Sequence, residues 1–253
     1  MKPSTTILSI PFHNQDISAA VSLVLHMLQQ EDDRVTRCIS ATSAHGLVVA
    51  QKDPHFAATL QSFFLNLPDG QPIVWLGRLK GAKAMQRCYG PDFFAALMRA
   101  TAHDRTICHY LCGGKPGVAI ELQQVCARKF GNKQVVGAVS PPFRPLAEQE
   151  FRALGAEIDR AGASVVWIGM STPKQERFAV ELARCTNARF IITVGAAFDF
   201  HTGRVRQAPA WMQHAGLEWL FRLSVEPKRL YRRYIEVVPL FLIYATRELL
   251  NKQ

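Results

Sequence analysis

Val165-Val166-Trp167-Ile168-Gly169-Met170-Ser171-Thr172-Pro173-Lys174-Gln175-Glu176 is the stretch on which the fold reading turns. A continuous apolar run stops at a glycine, a polar turn follows, and a proline then precedes charged, helix-forming residues. This is the pattern of a buried strand feeding a helix that begins near Pro173. A helix start of this kind exposes backbone N–H groups without intrahelical partners, which suit a phosphate or another anion. Lys174 adds positive charge there, and Gln175 can both donate and accept hydrogen bonds.

Similar joints recur on either side. Ile107 to Cys112 reads as a strand ending in Gly113-Gly114-Lys115-Pro116-Gly117, with a helix over about 117–130. Val135, Val136 and Val139 mark a further strand, residues 146–161 a helix, and Arg189 to Val194 a strand that stops at Gly195. Upstream, residues 16–30 read as a helix capped by Asp16, Arg37 to Ala41 as a strand, 54–65 as a helix opened by Pro54, Leu67 to Gly70 as a turn, and 92–102 as a helix. The alternation predicts an α/β fold: a Rossmann-like, mostly parallel sheet with helices on both faces and ligands at the strands' C-terminal ends. Beyond about residue 208 no strand is evident. Aromatic, leucine and arginine residues interleave there, so a catalytic domain over 1–207 and a helical appendage over 208–253 are expected.

Composition narrows the function classes. The chain has 253 residues, 48% of them hydrophobic, enough for one large α/β domain with an appendage. Its six cysteines form no CxxC pair and several fall in apolar runs, which suggests reduced thiols of a cytosolic protein rather than disulfides or a zinc site. Ile7 to Ile10 is followed at once by Pro11, His13, Asn14 and Asp16, unlike the apolar run of a secretory leader. The most apolar stretch, Val237 to Ala245, is too short for a membrane span and contains Pro239.

The net charge of +10 is unevenly placed: residues 201–253 carry nine Lys/Arg against four Glu, a surplus of 9 − 4 = +5. A basic end implies a polyanionic partner, whether an anionic membrane, a phosphorylated substrate or nucleic acid. Arg222, Lys228, Arg229, Arg232 and Arg233 stand beside Trp219, Phe221, Tyr231 and Tyr234. That pattern fits core-packing helices with a solvated basic face, and it also fits an interfacial membrane element.

Several positions could carry chemistry. Gly113, Gly114 and Gly169 lie where a backbone can approach a phosphate, although neither a GxGxxG nor a Walker A frame is present. Asp69 sits on the Pro68-Asp69-Gly70 turn, where a carboxylate could take a proton from a hydroxyl nucleophile. Arg87 could neutralise charge developing on a phosphate. Asp199, in Gly195-Ala196-Ala197-Phe198-Asp199-Phe200, could cap a helix or hold a ligand hydroxyl. No DxD carboxylate pair is present, so neither a divalent ion nor any other cofactor is expected.

Taken in order, these segments resemble the WecG/TagA/CpsF family of glycosyltransferases. The motifs are Ala44-His45-Gly46-Leu47, Asp53-Pro54, Leu67-Pro68-Asp69-Gly70, Arg87 with Gly90-Pro91-Asp92, and Gly113 to Gly117. They continue with Ile168-Gly169, Pro173-Lys174-Gln175-Glu176, Val194 to Phe200 with Gly203, Ala208-Pro209-Trp211, Gly216 to Arg222, and Glu226-Pro227-Lys228-Arg229. The resemblance implies an inverting, metal-independent transferase at the cytoplasmic face of a bacterial plasma membrane. It would move a sugar, in several members N-acetylmannosamine, from a UDP-sugar to a polyprenyl-diphosphate-linked sugar, for teichoic acid, common antigen, capsule or exopolysaccharide. It further implies Asp69 as general base, Arg87 and Gln175 in the site, and the basic C-terminus as the membrane-docking part. The family commonly has Asn where this chain has Ser43, with a Thr two positions before it. Here that position is Ala41, unless Thr42 substitutes, so Ser43 and Thr42 are carried as substrate-binding candidates. Whether the chain forms a homo-oligomer stays open. Two other readings also remain at this point: a basic nucleic-acid-binding protein, for which no recognisable module is present, and a nucleotide-sugar epimerase or dehydrogenase, for which the dinucleotide fingerprint is missing.

Overall fold

The structure, a computed structural model, describes residues 3–30 and 35–250, without the side chains of residues 210, 214 and 229. It opens with an antiparallel hairpin, β1 (Ser4–Ile7) and β2 (Ile10–His13), followed by α1 (Ile17–Leu28). As the sequence predicts, Asp16 caps α1: its Oδ1 accepts from the Ala19 N–H at 2.8 Å. The alternating part then runs β3 (Arg37–Thr42), α2 (Ala44–Lys52), α3 (Pro54–Ser62), β4 (Leu65–Pro68), α4 (Gln71–Leu79), α5 (Gly90–Ala100) and β5 (His109–Gly113). It continues with α6 (Val118–Phe130), β6 (Val135–Val139), α7 (Glu148–Arg160), β7 (Val165–Gly169), α8 (Lys174–Ala183), β8 (Phe190–Thr193) and α9 (Ala197–His201). Three helices close the chain: α10 (Ala210–His214), α11 (Glu218–Val225) and α12 (Pro227–Leu250).

Six strands form one parallel sheet in the order β4-β3-β8-β7-β5-β6. Side chains alternate across it, and β7 shows why its run is apolar throughout: both faces are covered. Val165 and Trp167 join Phe93, Phe94, Phe190 and Phe198 under α1, α5, α6 and α9. Val166 and Ile168 face the other way, with Leu154, Ile158, Ala179 and Leu182 of α7 and α8. Trp167 is fully buried and places its indole N–H on His109 Nδ1 at 3.1 Å, so a polar atom in the middle of the core is satisfied.

A third core lies beside the sheet and was not legible in the sequence. The hairpin contributes Ile7, Ile10 and Phe12, α2 to α4 contribute Leu47, Val48, Phe56, Leu60 and Ile73, and α12 inserts Val237 and Phe241. The apolar run 237–245 is therefore two-sided. Val237 and Phe241 are buried, whereas Val238, Leu242 and Ile243 are exposed. Ion pairs pin the same helix: Lys80 with Glu248, whose side chains are 6% and 17% exposed, and Lys52 with Glu236 at the surface. α12 thus shares a core with residues of the expected catalytic domain.

Other differences are local. Residues 44–52, 65–68 and 71–79 form α2, β4 and α4, none of which the sequence reading contained, and the helix expected over 54–65 ends at Ser62. The six cysteines are free thiols. Among the described residues, no helix is long and apolar enough to cross a membrane.

Candidate active site

The C-terminal ends of the six strands form one edge, and the sequence-predicted positions gather along it. Asp69 leaves β4 directly. Pro68 pairs with Thr42 across the β3–β4 ladder, and the Asp69 N–H donates to the Thr42 carbonyl at 3.1 Å. The segment before α5 is laid against this end, the Cys88 N–H donating to the Pro68 carbonyl at 2.9 Å. The first N–H of α5, on Gly90, donates to Asp69 Oδ1 at 2.7 Å. The carboxyl is crowded by protein, and burial pushes its pKa up to about 6 against the opposing pull of Arg87, the Gly90 N–H and Arg222; the Glu218 carboxylate pushes it further up. A carboxyl in that range is ionised at neutral pH yet basic enough to take a proton from a hydroxyl.

Arg87 is held on every side. Its Nε donates to the Asp69 carbonyl at 2.8 Å, Nη1 donates to Gln213 Oε1 at 3.2 Å, and Nη2 is ion-paired with Glu218. The guanidinium carbon stands 4.0 Å from the Tyr89 ring centroid. Gln213 and Glu218 come from α10 and α11, so the C-terminal helices reach the site itself. Arg222 of α11 is less engaged. Its guanidinium carbon lies 5.6 Å from the Phe200 ring centroid, its Nη2 lies 3.9 Å from Glu226, and its buried Nε has no hydrogen-bond partner among the described residues.

A second polar group runs beneath the edge. The Thr42 hydroxyl donates to Ser40 Oγ at 2.9 Å, and Ser40 donates to Glu176 Oε1 at 3.3 Å. Thr172 Oγ1 donates to the same Glu176 oxygen at 2.9 Å and Gln175 Nε2 donates to it at 2.9 Å. Gln175 Oε1 in turn accepts from the Gly195 N–H at 3.0 Å. Burial raises the Glu176 pKa, and the donors on Oε1 oppose that rise. Gln175, expected to contact substrate, is itself buried with both ends of its amide engaged by protein. What it does here is fasten α8 to the turn after β8.

The remaining candidates divide the same way. A Cβ on Gly113 would stand 2.6 Å from the Gly169 carbonyl oxygen, and one on Gly169 would stand 2.6 Å from the Phe198 ring. Both glycines are required by close approach of β5, β7 and α9. The Gly114 N–H is engaged too, donating to the Gly169 carbonyl at 2.8 Å. By contrast Ser43 is the N-cap of α2 but its hydroxyl makes no capping bond, and Asp199, half-buried at the start of α9, carries no side-chain partner among the described residues. Lys174 is exposed at the start of α8, with Nζ 4.4 Å from the Phe143 ring centroid. On α12, Lys228 and Arg232 are exposed and Arg233 is partly buried; the Arg229 side chain lies outside the described residues. His45 has its pKa lowered to about 4, mainly by burial and then by Arg233. Among the described residues, no three or more His, Cys, Asp or Glu side chains are grouped to hold a metal ion.

Sequence reasoning missed the partners: Ser40, Glu176, Tyr89, Gln213, Glu218 and Phe143. Glu176 and Glu218 stood inside the motifs quoted above, but nothing in a linear pattern says which polar group a side chain meets.

The fold is α/β, a parallel six-stranded sheet covered by helices, with the Asp69 carboxyl, Arg87 and Arg222 grouped at the C-terminal ends of its strands. The chain matches the family described as "Glycosyl transferase WecG/TagA/CpsF family" over residues 5–253, essentially its whole length, and it belongs to that family. It is a glycosyltransferase of cell-envelope polysaccharide synthesis. That membership selects the transferase over the nucleic-acid and epimerase readings.

Proposed function

We propose that the protein transfers a sugar, N-acetylmannosamine or a relative, from a UDP-sugar to a polyprenyl-diphosphate-linked sugar, with inversion and without a metal ion. The observation that carries this reading is the Asp69 carboxyl, raised to about 6 and backed by Arg87 and Arg222. Asp69 takes the proton of the acceptor hydroxyl as that oxygen forms its bond to the anomeric carbon. The bond from that carbon to the diphosphate oxygen breaks in line, the electron pair leaves with UDP, and the configuration inverts. Negative charge growing on the diphosphate is met by the Arg222 guanidinium and by N–H groups of Arg87 not held by Gln213, Glu218 or the Asp69 carbonyl. Ser43 and Asp199, with open polar groups on the same edge, bind donor or acceptor hydroxyls.

A lipid-linked acceptor calls for work at a membrane surface, here the cytoplasmic face. The C-terminal helices have the composition for it. Trp211, Trp219, Leu220, Tyr231, Ile235 and Leu242 are exposed beside the exposed Lys228 and Arg232. The stripe opposite Val237 and Phe241 faces outward, so α12 docks on the lipid with one side while holding the protein core with the other.

The test is a panel of UDP-sugars with a short-chain polyprenyl-diphosphate sugar, read by product mass and anomeric configuration, with and without EDTA. One donor should yield an inverted product and release UDP, at a rate EDTA leaves nearly unchanged. Loss of transfer in EDTA, restored by Mn²⁺ or Mg²⁺, would show that a metal completes the site.

A further inference from the structure

Just beneath the strand ends the sheet carries a polar row where an α/β core is ordinarily apolar. Asn66 of β4, Ser40 of β3 and Thr193 of β8 are partners in register, so their side chains share one face, the one that Glu176 of α8 reaches. All three are buried, as are Thr42, Gln175 and Glu176. Buried polar groups cost free energy unless they are hydrogen-bonded, so a row of them in one place calls for a reason. Asn66 Nδ2 donates to the Leu60 carbonyl at 2.8 Å and to the Pro11 carbonyl at 3.1 Å, and its Oδ1 lies 3.5 Å from Thr42 Oγ1. The row therefore runs from β4, just ahead of Asp69, to the start of α8.

Glu176 closes the row at that end. It is 1% exposed, and Ser40, Thr172 and Gln175 all donate to its Oε1, whereas Oε2 has no partner among the described residues. One acceptor atom thus gathers a hydroxyl from β3, a hydroxyl from the turn after β7 and an amide from the first turn of α8. Ser40 accepts in turn from Thr42, whose carbonyl holds the Asp69 N–H at 3.1 Å. We propose that Glu176 is a positioning residue for the transfer: through Ser40 and Thr42 it sets the end of β4 that carries Asp69 against the start of α8. Glu176 touches no substrate and works through Asp69, so this inference rests on the role given to that carboxyl above. A base displaced by a fraction of an ångström to an ångström slows the proton transfer while leaving binding nearly intact.

Steady-state transfer and thermal melts on the full-length protein test it. Glu176→Leu fills the same space and removes the acceptor, so kcat should fall at least about tenfold with both KM values within about threefold of wild type. Glu176→Gln keeps an oxygen for the three donors and should recover most of the rate. Ser40→Ala cuts the link to Thr42 at the cost of one hydroxyl and should lower kcat at least about threefold, which keeps the test open if Glu176→Leu does not fold. Each loss is then measured again in Asp69→Asn. There Glu176→Leu or Ser40→Ala should cost less than about twofold more, because displacing a group that no longer accepts a proton changes little. A role in stability alone lowers the rate by the same factor in both backgrounds, and that result would overturn the proposal. So would wild-type kcat in folded Glu176→Leu or Ser40→Ala protein, or a Glu176→Gln variant as slow as Glu176→Leu. Wild-type turnover by Asp69→Asn would overturn the base and the positioning role together, whereas a slow Asp69→Asn with independent losses removes the positioning role alone.

Discussion

Asp69→Asn is expected to transfer sugar at least about 100-fold more slowly than wild type while remaining folded. Asparagine keeps the shape, and its Oδ1 can still accept the Gly90 N–H that Asp69 Oδ1 accepts at 2.7 Å. What it loses is the capacity to take a proton. The effect on stability runs in the opposite direction. A carboxyl whose pKa is raised on folding, here to about 6, is stabilising only while protonated, and that contribution is lost as pH rises through the folded value. At pH 7.5 wild type holds a desolvated anion that the amide does not, so Asp69→Asn should melt at or above the wild-type temperature. Thermal melts beside the transfer assay separate the two. Near-normal turnover from a well-folded Asp69→Asn protein would remove Asp69 from the chemistry.

The double variant Lys228→Glu, Arg232→Glu should bind anionic vesicles at least about 100-fold more weakly than wild type. Both side chains are exposed on α12, on the side away from Val237 and Phe241. A basic residue near an anionic surface contributes ~1 kcal/mol, so reversing two both removes attraction and adds repulsion. Wild-type binding should fall as salt shortens the ~8 Å screening length of physiological buffer, and neutral vesicles should bind weakly. Cosedimentation with vesicles of matched size and differing charge reads this directly. A double variant that sediments with anionic vesicles as wild type does would place membrane contact elsewhere. Point changes serve better here than removal of the C-terminal helices, because deleting α12 would uncover Leu47, Val48 and Phe56 and break the Lys80–Glu248 pair.

The sheet was legible where buried strands were long and uniformly apolar. Val165 to Ile168 alternates between two covered faces, so every position is hydrophobic, and Gly169 marks its end. β4 was not legible because four residues ending in proline look the same as a turn. α2 was hidden by its own composition: Gly46, Val48 and Val49 are poor helix formers, and Leu47 and Val48 bring burial against α12, 180 residues or more distant in the chain. The run 237–245 was read as a single apolar block. Only the helix separates Phe241, facing the core, from Leu242, facing out. The site divides similarly. The place of Asp69 on a turn was readable from the turn signature, while its role as a base came only from the family resemblance. The partners of Gln175 were not readable, because the Glu176 carboxylate and the Gly195 N–H that engage its amide come together only in three dimensions.

The central claim is that Asp69 accepts the acceptor's proton, and the pH dependence of kcat/KM, the rate at subsaturating donor and acceptor, tests it most directly because it reports the groups of the free enzyme. Burial raises this carboxyl to about 6, so the base is ionised above that pH and lost below it. The rate should be level above about pH 7 and fall toward tenfold per pH unit once the pH drops below about 6. A rate that stays level from pH 8 to pH 5, in protein that circular dichroism shows to be folded throughout, would contradict it.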